Sequence, residues 1–198
     1  MNSPFQDWKR HDIQVEHASL AAFEKGKGPP LLFLHGGPGD DCSGLLEWAE
    51  MFAGEHRCTL YDQRGSGRSN LSGTYSTETL NLRLFVDDID RVLDHFGCKT
   101  AALAGHSWGS LLGLIYAIEQ PERVDKLVLA GAGPMNEEFI KVAGENLNRG
   151  FSGETLAKLA AAKAKRRQAA ADGNMAIQHE AQNEVIEVVA QKWVVNEA

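Results

Sequence analysis

Four short apolar runs, each followed by a polar or glycine-rich turn, constrain the fold of about the first two-thirds of this chain. The runs occupy residues 31–34, 58–61, 101–104 and 124–130. Strands buried on both faces of a parallel sheet are apolar throughout instead of alternating. Amphipathic segments separate the runs, as expected when helices cover such a sheet. Up to about Pro134, the pattern therefore predicts an α/β protein with an open, mostly parallel sheet.

The segments around these runs predict one or two antiparallel strands and three helices. Residues 12–24 alternate imperfectly between apolar and polar types, which predicts one or two antiparallel strands. Residues 45–52 and 108–118 have helical character. Residues 76–96 carry apolar side chains three or four positions apart, which predicts a helix with one face packed on the sheet. Those side chains are Leu82, Phe85, Ile89, Val92 and Phe96.

The chain changes character after about residue 134. From Asn136 onward, three helical stretches are predicted, separated by Gly150 and by the pair Asp172-Gly173, with no further convincing strand. One stretch carries a basic cluster, which we interpret as a solvated helix face instead of an anion or nucleic-acid patch. We therefore divide the chain into a segment 1–134 and a helical segment 135–198. The basic residues are Lys163, Lys165, Arg166 and Arg167.

Composition excludes several classes of partner. The 198 residues include 20 Lys and Arg against 27 Asp and Glu, a net charge of -7, and nucleic-acid binding needs the opposite surplus. The opening residues lack an apolar targeting core and no run approaches the length of a membrane span, so we expect a cytoplasmic protein without a membrane partner. Cys42, Cys58 and Cys98 have no metal-binding spacing, and neither a disulfide framework, a metal nor another cofactor is predicted.

A GHSWG motif lies between the third apolar run and the helix that follows it. In this strand-turn-helix setting, a G-x-S-x-G sequence is typical of a nucleophile elbow, and the alternative is a plain glycine-rich turn. Gly105 and Gly109 avoid collisions where a serine is forced into a tight corner. A hydroxyl there lies at a helix N-terminus, whose partial positive charge favours a developing oxyanion. We predict Ser107 as a nucleophile and give His106 a structural role beside it.

An HGGPG motif directly follows the first apolar run. Acyl transfer requires backbone N–H donors aimed at the tetrahedral oxygen, and glycine leaves such donors unobstructed. The predicted donors are the N–H groups of Gly37 and Trp108. His35 is a candidate general base, but its place before the loop favours a ring that hydrogen-bonds to local backbone. We give His35, Gly36 and Pro38 structural roles.

The DQRGSGRS segment, residues 62–69, follows the second apolar run. Asp62 has the residue type of a catalytic acid. The dense turn residues around it favour a structural interpretation, in which its carboxylate and the side chains of Arg64 and Arg68 brace the turns beside the site.

The motifs HGGPG, DQRGSGRS and GHSWGS, in this order and at this spacing, resemble the α/β-hydrolase fold, and within it the proline iminopeptidase group of serine aminopeptidases. The likeness extends over residues 12–134. It implies that Ser107 is the nucleophile, that Gly37 and Trp108 are oxyanion donors, and that the Gly37–Pro38 bond is cis. It also implies that segment 135–198 is a helical cap, wholly or in part, whose acidic residues bind the free amino group of a small or short-peptide substrate.

The catalytic acid and base that this resemblance requires are missing from the sequence. In the α/β-hydrolase fold the triad follows the order Ser, Asp or Glu, His along the chain. The only histidine after Ser107 is His179, which we interpret as an exposed cap residue. Glu137 and Glu138 follow the fourth apolar run but have no histidine to orient. We therefore expect the acid and base to lie outside these 198 residues, which alone would hydrolyse little or nothing.

Two alternatives remain open from the sequence. The same fold serves esterases, amidases and other enzymes acting on different small substrates. A degenerate hydrolase that binds a ligand without turnover would also lack the base. The resemblance also implies two further strands after the cap. Without them the sheet would have an uncovered edge, through which we expect that the chain can self-associate.

Overall fold

The computed structural model describes residues 4–132 and 152–171, together with residues 177, 180, 181 and 184. The chain divides into two compact units, Met1–Gly133 and Pro134–Ala198. Strands β1 to β7 span Lys9–Val15, Ala18–Lys25, Pro30–Leu34, Arg57–Tyr61, Asn70–Leu71, Ala101–His106 and Val124–Ala130. Helices α1 to α4 span Leu46–Phe52, Leu82–His95, Trp108–Glu119 and Gly153–Ala171, and short 3-10 helices cover Cys42–Leu45 and Pro121–Arg123.

The seven strands form one sheet in the order β1-β2-β4-β3-β6-β7, with β5 paired to β2. Strand β3 pairs in parallel with both β4 and β6, and β6 pairs in parallel with β7. Of the one or two antiparallel strands predicted over residues 12–24, the structure has two, β1 and β2, which pair as a hairpin. All four apolar runs are therefore strands of one mostly parallel sheet, and the predicted fold class is confirmed.

Strand β3 lies in the middle of the sheet and contributes to the core on both faces. Leu32 and Leu34 belong to the hydrophobic cluster beneath α2 and α3, whereas Leu31 and Phe33 belong to the cluster beneath α1. Successive side chains of a strand point to opposite faces, so an apolar run is required when both faces are covered. The central position of β3 places its carboxyl end between the turns that follow β4 and β6.

Helix α2 starts later than the predicted range, residues 76–96. It begins at Leu82, after Asn81, whose side-chain oxygen accepts a hydrogen bond of 3.0 Å from the backbone N–H of Leu84. Ser76 and Thr79 instead close a turn, because the Ser76 N–H donates to the Thr79 hydroxyl (3.1 Å) and the Thr79 N–H to the Ser76 carbonyl (3.2 Å). Such side chains satisfy backbone groups locally and compete with a helix. Leu82 is 45% exposed, so its assignment to the packed face is wrong.

Helix α4 accounts for the middle one of the helical stretches predicted after residue 134. Its Lys165 pairs with Glu180 (3.0 Å) and Glu184 (2.7 Å), which is consistent with a solvated basic face. The stretch before Gly150 lies outside the described residues, and of the stretch after Gly173 only residues 177, 180, 181 and 184 are described, all of them helical. The side chains of Lys163, Arg166 and Arg167 also lie outside the described part. In the part of the chain that the structure describes, no helix is both long and apolar enough to cross a membrane.

A buried ion pair joins the turn after β4 to helix α2. Arg64 donates from Nε and Nη2 to the two carboxylate oxygens of Asp88 at 2.8 and 2.6 Å, and both side chains are 1% exposed. Its Nη1 donates to the carbonyls of Glu16 (3.2 Å) and Thr79 (3.1 Å). Burial raises the pKa of Asp88 to about 6, against the effect of the Arg64 hydrogen bonds. The partner of Arg64 is therefore Asp88 and not Asp62.

Removing one member of this pair should strongly destabilise the fold. Asp88→Ala leaves the Arg64 guanidinium buried without a counter-charge, and we expect it to lower the free energy of unfolding by about 3–5 kcal/mol. Urea unfolding at neutral pH measures this change. The control is Asp87→Ala, which removes only the exposed pair with Arg83 and should cost about 1 kcal/mol or less. Equal losses for the two variants would contradict the importance of the buried pair.

Candidate active site

Ser107 occupies the corner between β6 and α3. Its backbone angles are φ 52 and ψ -115, and it is one of two non-glycine residues with positive φ among those described. Such a conformation costs on the order of 1–3 kcal/mol and persists only where neighbouring structure holds it. Two contacts with the sheet hold it here: the Ser107 N–H donates to the carbonyl of Ala130 (2.9 Å), and the Ser110 hydroxyl lies 2.7 Å from the carbonyl of Gly105 and 2.9 Å from that of Ala130.

The two glycines of the GHSWG motif are required by close approach of the backbone. A Cβ on Gly109 would overlap the carbonyl oxygen of Leu34 at the end of β3 and lie 2.7 Å from that of His35. A Cβ on Gly105 would overlap the carbonyl of Gly109 and lie 2.6 Å from the nitrogen of Ser110. Helix α3 thus starts directly against the end of β3, with no room for a side chain.

The HGGPG loop passes beside the serine. A Cβ on Gly36 would lie 3.3 Å from His106 Nδ1 and 3.4 Å from Ser107 Cβ. Gly37 has φ +113, a conformation that favours glycine, and the Gly37–Pro38 bond is cis, as the resemblance implies. The main chain of this loop and the first turn of α3 are therefore neighbours on either side of Ser107.

The His35 ring is committed to main-chain groups. It is buried, its Nδ1 lies 2.8 Å from the carbonyl oxygen of Gly36, and its Nε2 lies 2.9 Å from the backbone nitrogen of Gln63. Because that N–H can only donate, Nε2 accepts and Nδ1 carries the proton. Burial lowers the pKa of His35, which favours this neutral form. The ring has no free nitrogen for the hydroxyl of Ser107.

Both carboxylate oxygens of Asp62 likewise accept hydrogen bonds from neighbouring groups. One carboxylate oxygen accepts from the backbone N–H of Cys42 (2.8 Å), and the other accepts from the backbone N–H (2.7 Å) and Nη1 (2.8 Å) of Arg68. The side chain is completely buried. Asp62 thereby joins the far end of the HGGPG loop to the turn after β4, and Arg68 shares this bracing while Arg64 does not.

His106 lies on the outer side of the elbow. Its ring is exposed and meets the ring of Trp48 edge to face, with centroids 6.0 Å apart. No hydrogen bond joins it to Ser107 within the described part of the chain.

Gln63 is a residue of the site that the sequence interpretation missed. Its side-chain Nε2 donates to the carbonyl of His35 (2.8 Å), and its Oε1 accepts from the indole N–H of Trp108 (2.8 Å). It stands between Asp62 and Arg64 in the DQRGSGRS motif, but only the pairing of β3 with β4 shows that it faces the HGGPG loop. The usable signal was its position two residues after the end of the buried strand β4.

Ser107 has no base beside it among residues 4–132 and 152–171, where no side chain is hydrogen-bonded to its hydroxyl. His179, Glu137 and Glu138 lie outside the described residues. Over the described residues, no group of three or more His, Cys, Asp or Glu side chains could hold a metal ion. The arrangement thus offers a serine at a helix N-terminus beside a glycine loop, which is suited to attack on a carbonyl group once a base is supplied.

Comparison with known proteins establishes the family of this chain. The family model described as alpha/beta hydrolase fold matches residues 29–194. That range covers well over half of the sequence, so the chain belongs to the alpha/beta hydrolase fold family.

Among curated relatives, the chain is similar to proline iminopeptidases. It is 32% identical to that of Heyndrickxia coagulans over 120 residues, which is 60% of this chain and 41% of the relative. It is 39% identical to that of Xanthomonas citri over 128 residues, which is 63% of this chain and 40% of the relative. The chain therefore spans about two-fifths of the length of these relatives.

Solved structures agree with this placement. The proline iminopeptidase-related protein of Thermus thermophilus is 27% identical with a TM-score of 0.57, covering 62% of this chain and 44% of that one. A putative alpha/beta hydrolase from a Nostoc species covers 93% of this chain and 71% of its own, with a TM-score of 0.65. Its identity of 20% supports the fold alone.

The close approach of α3 to β3 predicts a steep cost for a methyl group at the elbow. Gly109→Ala should lower the free energy of unfolding by about 3 kcal/mol or more, because backbone atoms cannot move aside as a side chain can. Gly44→Ala is the matched control, since no atom lies within 4 Å of its added Cβ, and it should change stability by about 0.5 kcal/mol or less. Urea unfolding of the two variants decides, and a Gly109→Ala protein as stable as Gly44→Ala would refute the packing argument.

Proposed function

We propose that this chain is the nucleophile-bearing part of a serine hydrolase of the proline iminopeptidase type, which releases an N-terminal residue, often proline, through an acyl-enzyme on Ser107. The observation that carries this proposal is the corner at Ser107, with positive φ, at the start of α3 and beside the Gly36–Gly37 loop. The similarity to proline iminopeptidases supports the substrate class.

The proposed reaction has two steps. The Ser107 oxygen attacks the scissile carbonyl carbon while its proton passes to a histidine supplied from outside the described residues. The C–N bond then breaks and the amine leaves with that proton. Water attacks the resulting ester, releases the carboxylic acid and restores the hydroxyl. In both steps the N–H groups of Gly37 and Trp108 would hold the negative oxygen, assisted by the N-terminus of α3.

Recognition of the free substrate amine is assigned to acidic residues of segment 135–198, by resemblance. Glu180 and Glu184 already share the ammonium group of Lys165. An amine-binding carboxylate must be available to the substrate, so these two are weaker candidates than other acids of the segment.

A non-catalytic alternative, a hydrolase fold that binds without turnover, is favoured by one observation. Among the described residues, the side chains best suited as base and acid, His35 and Asp62, are both held by main-chain donors and acceptors. An esterase or amidase with another small substrate is compatible with the same corner.

The 198-residue polypeptide by itself should react slowly with an active-site reagent. Without a base, Ser107 should be phosphonylated by a fluorophosphonate roughly 10⁴-fold more slowly than the serine of an intact triad. Mass spectrometry of labelled peptides measures the rate and the site, with Ser107→Ala as control. Labelling at the rate of active serine hydrolases would show that a base is present within these residues.

A form of the protein extended past residue 198 tests the proposed substrate. We expect prolyl p-nitroanilide to be hydrolysed with a kcat/KM about 10- to 100-fold above that of its N-acetyl derivative. The free amine is charged and can form a charged hydrogen bond with the protein, which the acetylated nitrogen cannot. Ser107→Ala should abolish both activities. Faster hydrolysis of p-nitrophenyl esters, with no preference for a free amine, would favour the esterase alternative, and ligand binding without turnover would favour the non-catalytic one.

A further inference from the structure

The side-chain amide of Gln63 links the main chain at the end of β3 to the side chain of the first residue of α3. It is 1% exposed, and its two ends bond to the carbonyl of His35 and the indole N–H of Trp108, each at 2.8 Å. A carbonyl only accepts and an indole N–H only donates, so the amide has a single satisfying orientation. Turning it over would place two acceptors together on one side and two donors on the other.

The amide belongs to a continuous chain of hydrogen bonds. From the loop after β3, the Gly36 carbonyl accepts from the His35 ring, and that ring accepts from the backbone N–H of Gln63. The Gln63 side chain then reaches Trp108, whose ring packs edge to face on Phe85 with centroids 5.8 Å apart. These hydrogen bonds therefore connect Gly36, the residue before Gly37, to Trp108, whose backbone N–H is the second proposed oxyanion donor.

The loop needs such a constraint because of its own composition. Gly37 has φ +113 and no side chain, so local sterics leave its N–H free to take many directions. Asp62 fixes the far end of the loop through the N–H of Cys42. Gln63 fixes the near end through both the carbonyl and the ring of His35. A displacement of about 1 Å at such a site costs on the order of 10²-fold in rate.

We propose that Gln63 is a positioning residue, which holds the HGGPG loop and the first turn of α3 at the spacing that lets the N–H groups of Gly37 and Trp108 face one oxygen atom. This inference rests on the proposed serine hydrolase function. Gln63 itself would touch neither the substrate nor Ser107.

The first test is Gln63→Met, which keeps the volume of the side chain and removes both polar ends. In ¹H–¹⁵N spectra of the 198-residue chain, we expect the Trp108 indole resonance to move upfield as its hydrogen bond is lost. The backbone amides of Gly37 and Trp108 should shift or broaden. Phosphonylation of Ser107 should slow by about tenfold or more. Unchanged Gly37 and Trp108 amides would overturn the inference.

The matched control is Tyr116→Phe. It removes another buried hydrogen bond, of 2.6 Å, from the Tyr116 hydroxyl to Asp90, which joins α3 to α2 away from the loop. We expect a comparable loss of stability, about 1 kcal/mol, with the Gly37 and Trp108 amides unchanged. If Tyr116→Phe moves those amides as much as Gln63→Met does, the effect is general loosening and the inference fails.

The second variant, Gln63→Glu, gives a readout that a merely structural role would not move. When protonated, the new carboxyl has the polarity of the amide, with a donor for His35 and an acceptor for Trp108. When ionised, it sets an acceptor against the His35 carbonyl. Burial raises the pKa of carboxyl groups, so wild-type resonances and labelling should be recovered as the pH falls from about 8 to 5. Asp88, whose pKa burial raises to about 6, titrates in the same range in every form of the protein. The unsubstituted protein at each pH is therefore the reference, and the expected recovery is the loss of the difference between Gln63→Glu and that reference.

These readouts separate the inference from the function on which it rests. A difference between Gln63→Glu and the unsubstituted protein that does not change with pH would overturn the role of Gln63, and this variant decides the question if Gln63→Met does not fold. Equal labelling of the unsubstituted protein and Ser107→Ala, in a form extended past residue 198, would overturn the proposed function. In that case the amide resonances still decide whether Gln63 sets the spacing of the two segments.

Discussion

The close approach of helix α3 to the end of strand β3 is the constraint on which the rest of the site depends. No Cβ fits on Gly109 against the carbonyls of Leu34 and His35. This contact brings the first turn of the helix beside the loop that leaves β3, and it forces the residue between β6 and α3 into a left-handed conformation. Ser107 is exposed to the HGGPG loop as a direct result. The chemical site is thus a consequence of how tightly three backbone segments meet.

The parts of this arrangement that the sequence predicts are those with local signals. Strand β3 is apolar at every position because both of its faces are covered, and the elbow shows in the spacing of Gly105 and Gly109. The start of α2 was misplaced because Ser76 and Thr79 satisfy their own turn, which hydrophobic spacing does not register. Partners across the fold, such as Asp88 for Arg64 and Trp108 for Gln63, depend on strand order and could not be read from the chain.

The buried polar residues around Ser107 hold loops in place and are not free for proton transfer. His35 and Asp62 have the side chains of an acid-base pair, but each is saturated by neighbouring groups. Their buried hydrogen bonds hold loops that would otherwise lack a fixed geometry, and a buried polar group is stabilising only when its partners are in place. Under the proposed function, a proton acceptor for Ser107 would therefore come from other residues, while His35 and Asp62 hold the loops around it.

Strand β7 is the last strand in the described order, and its Val128 and Leu129 are 56% and 40% exposed. The carbonyl of Ala130, at its end, receives the N–H of Ser107. The corner at Ser107 is consequently hydrogen-bonded to the outermost strand of the described sheet. A strand or partner that paired with β7 would therefore also restrain the backbone at Ser107, through the carbonyl of Ala130.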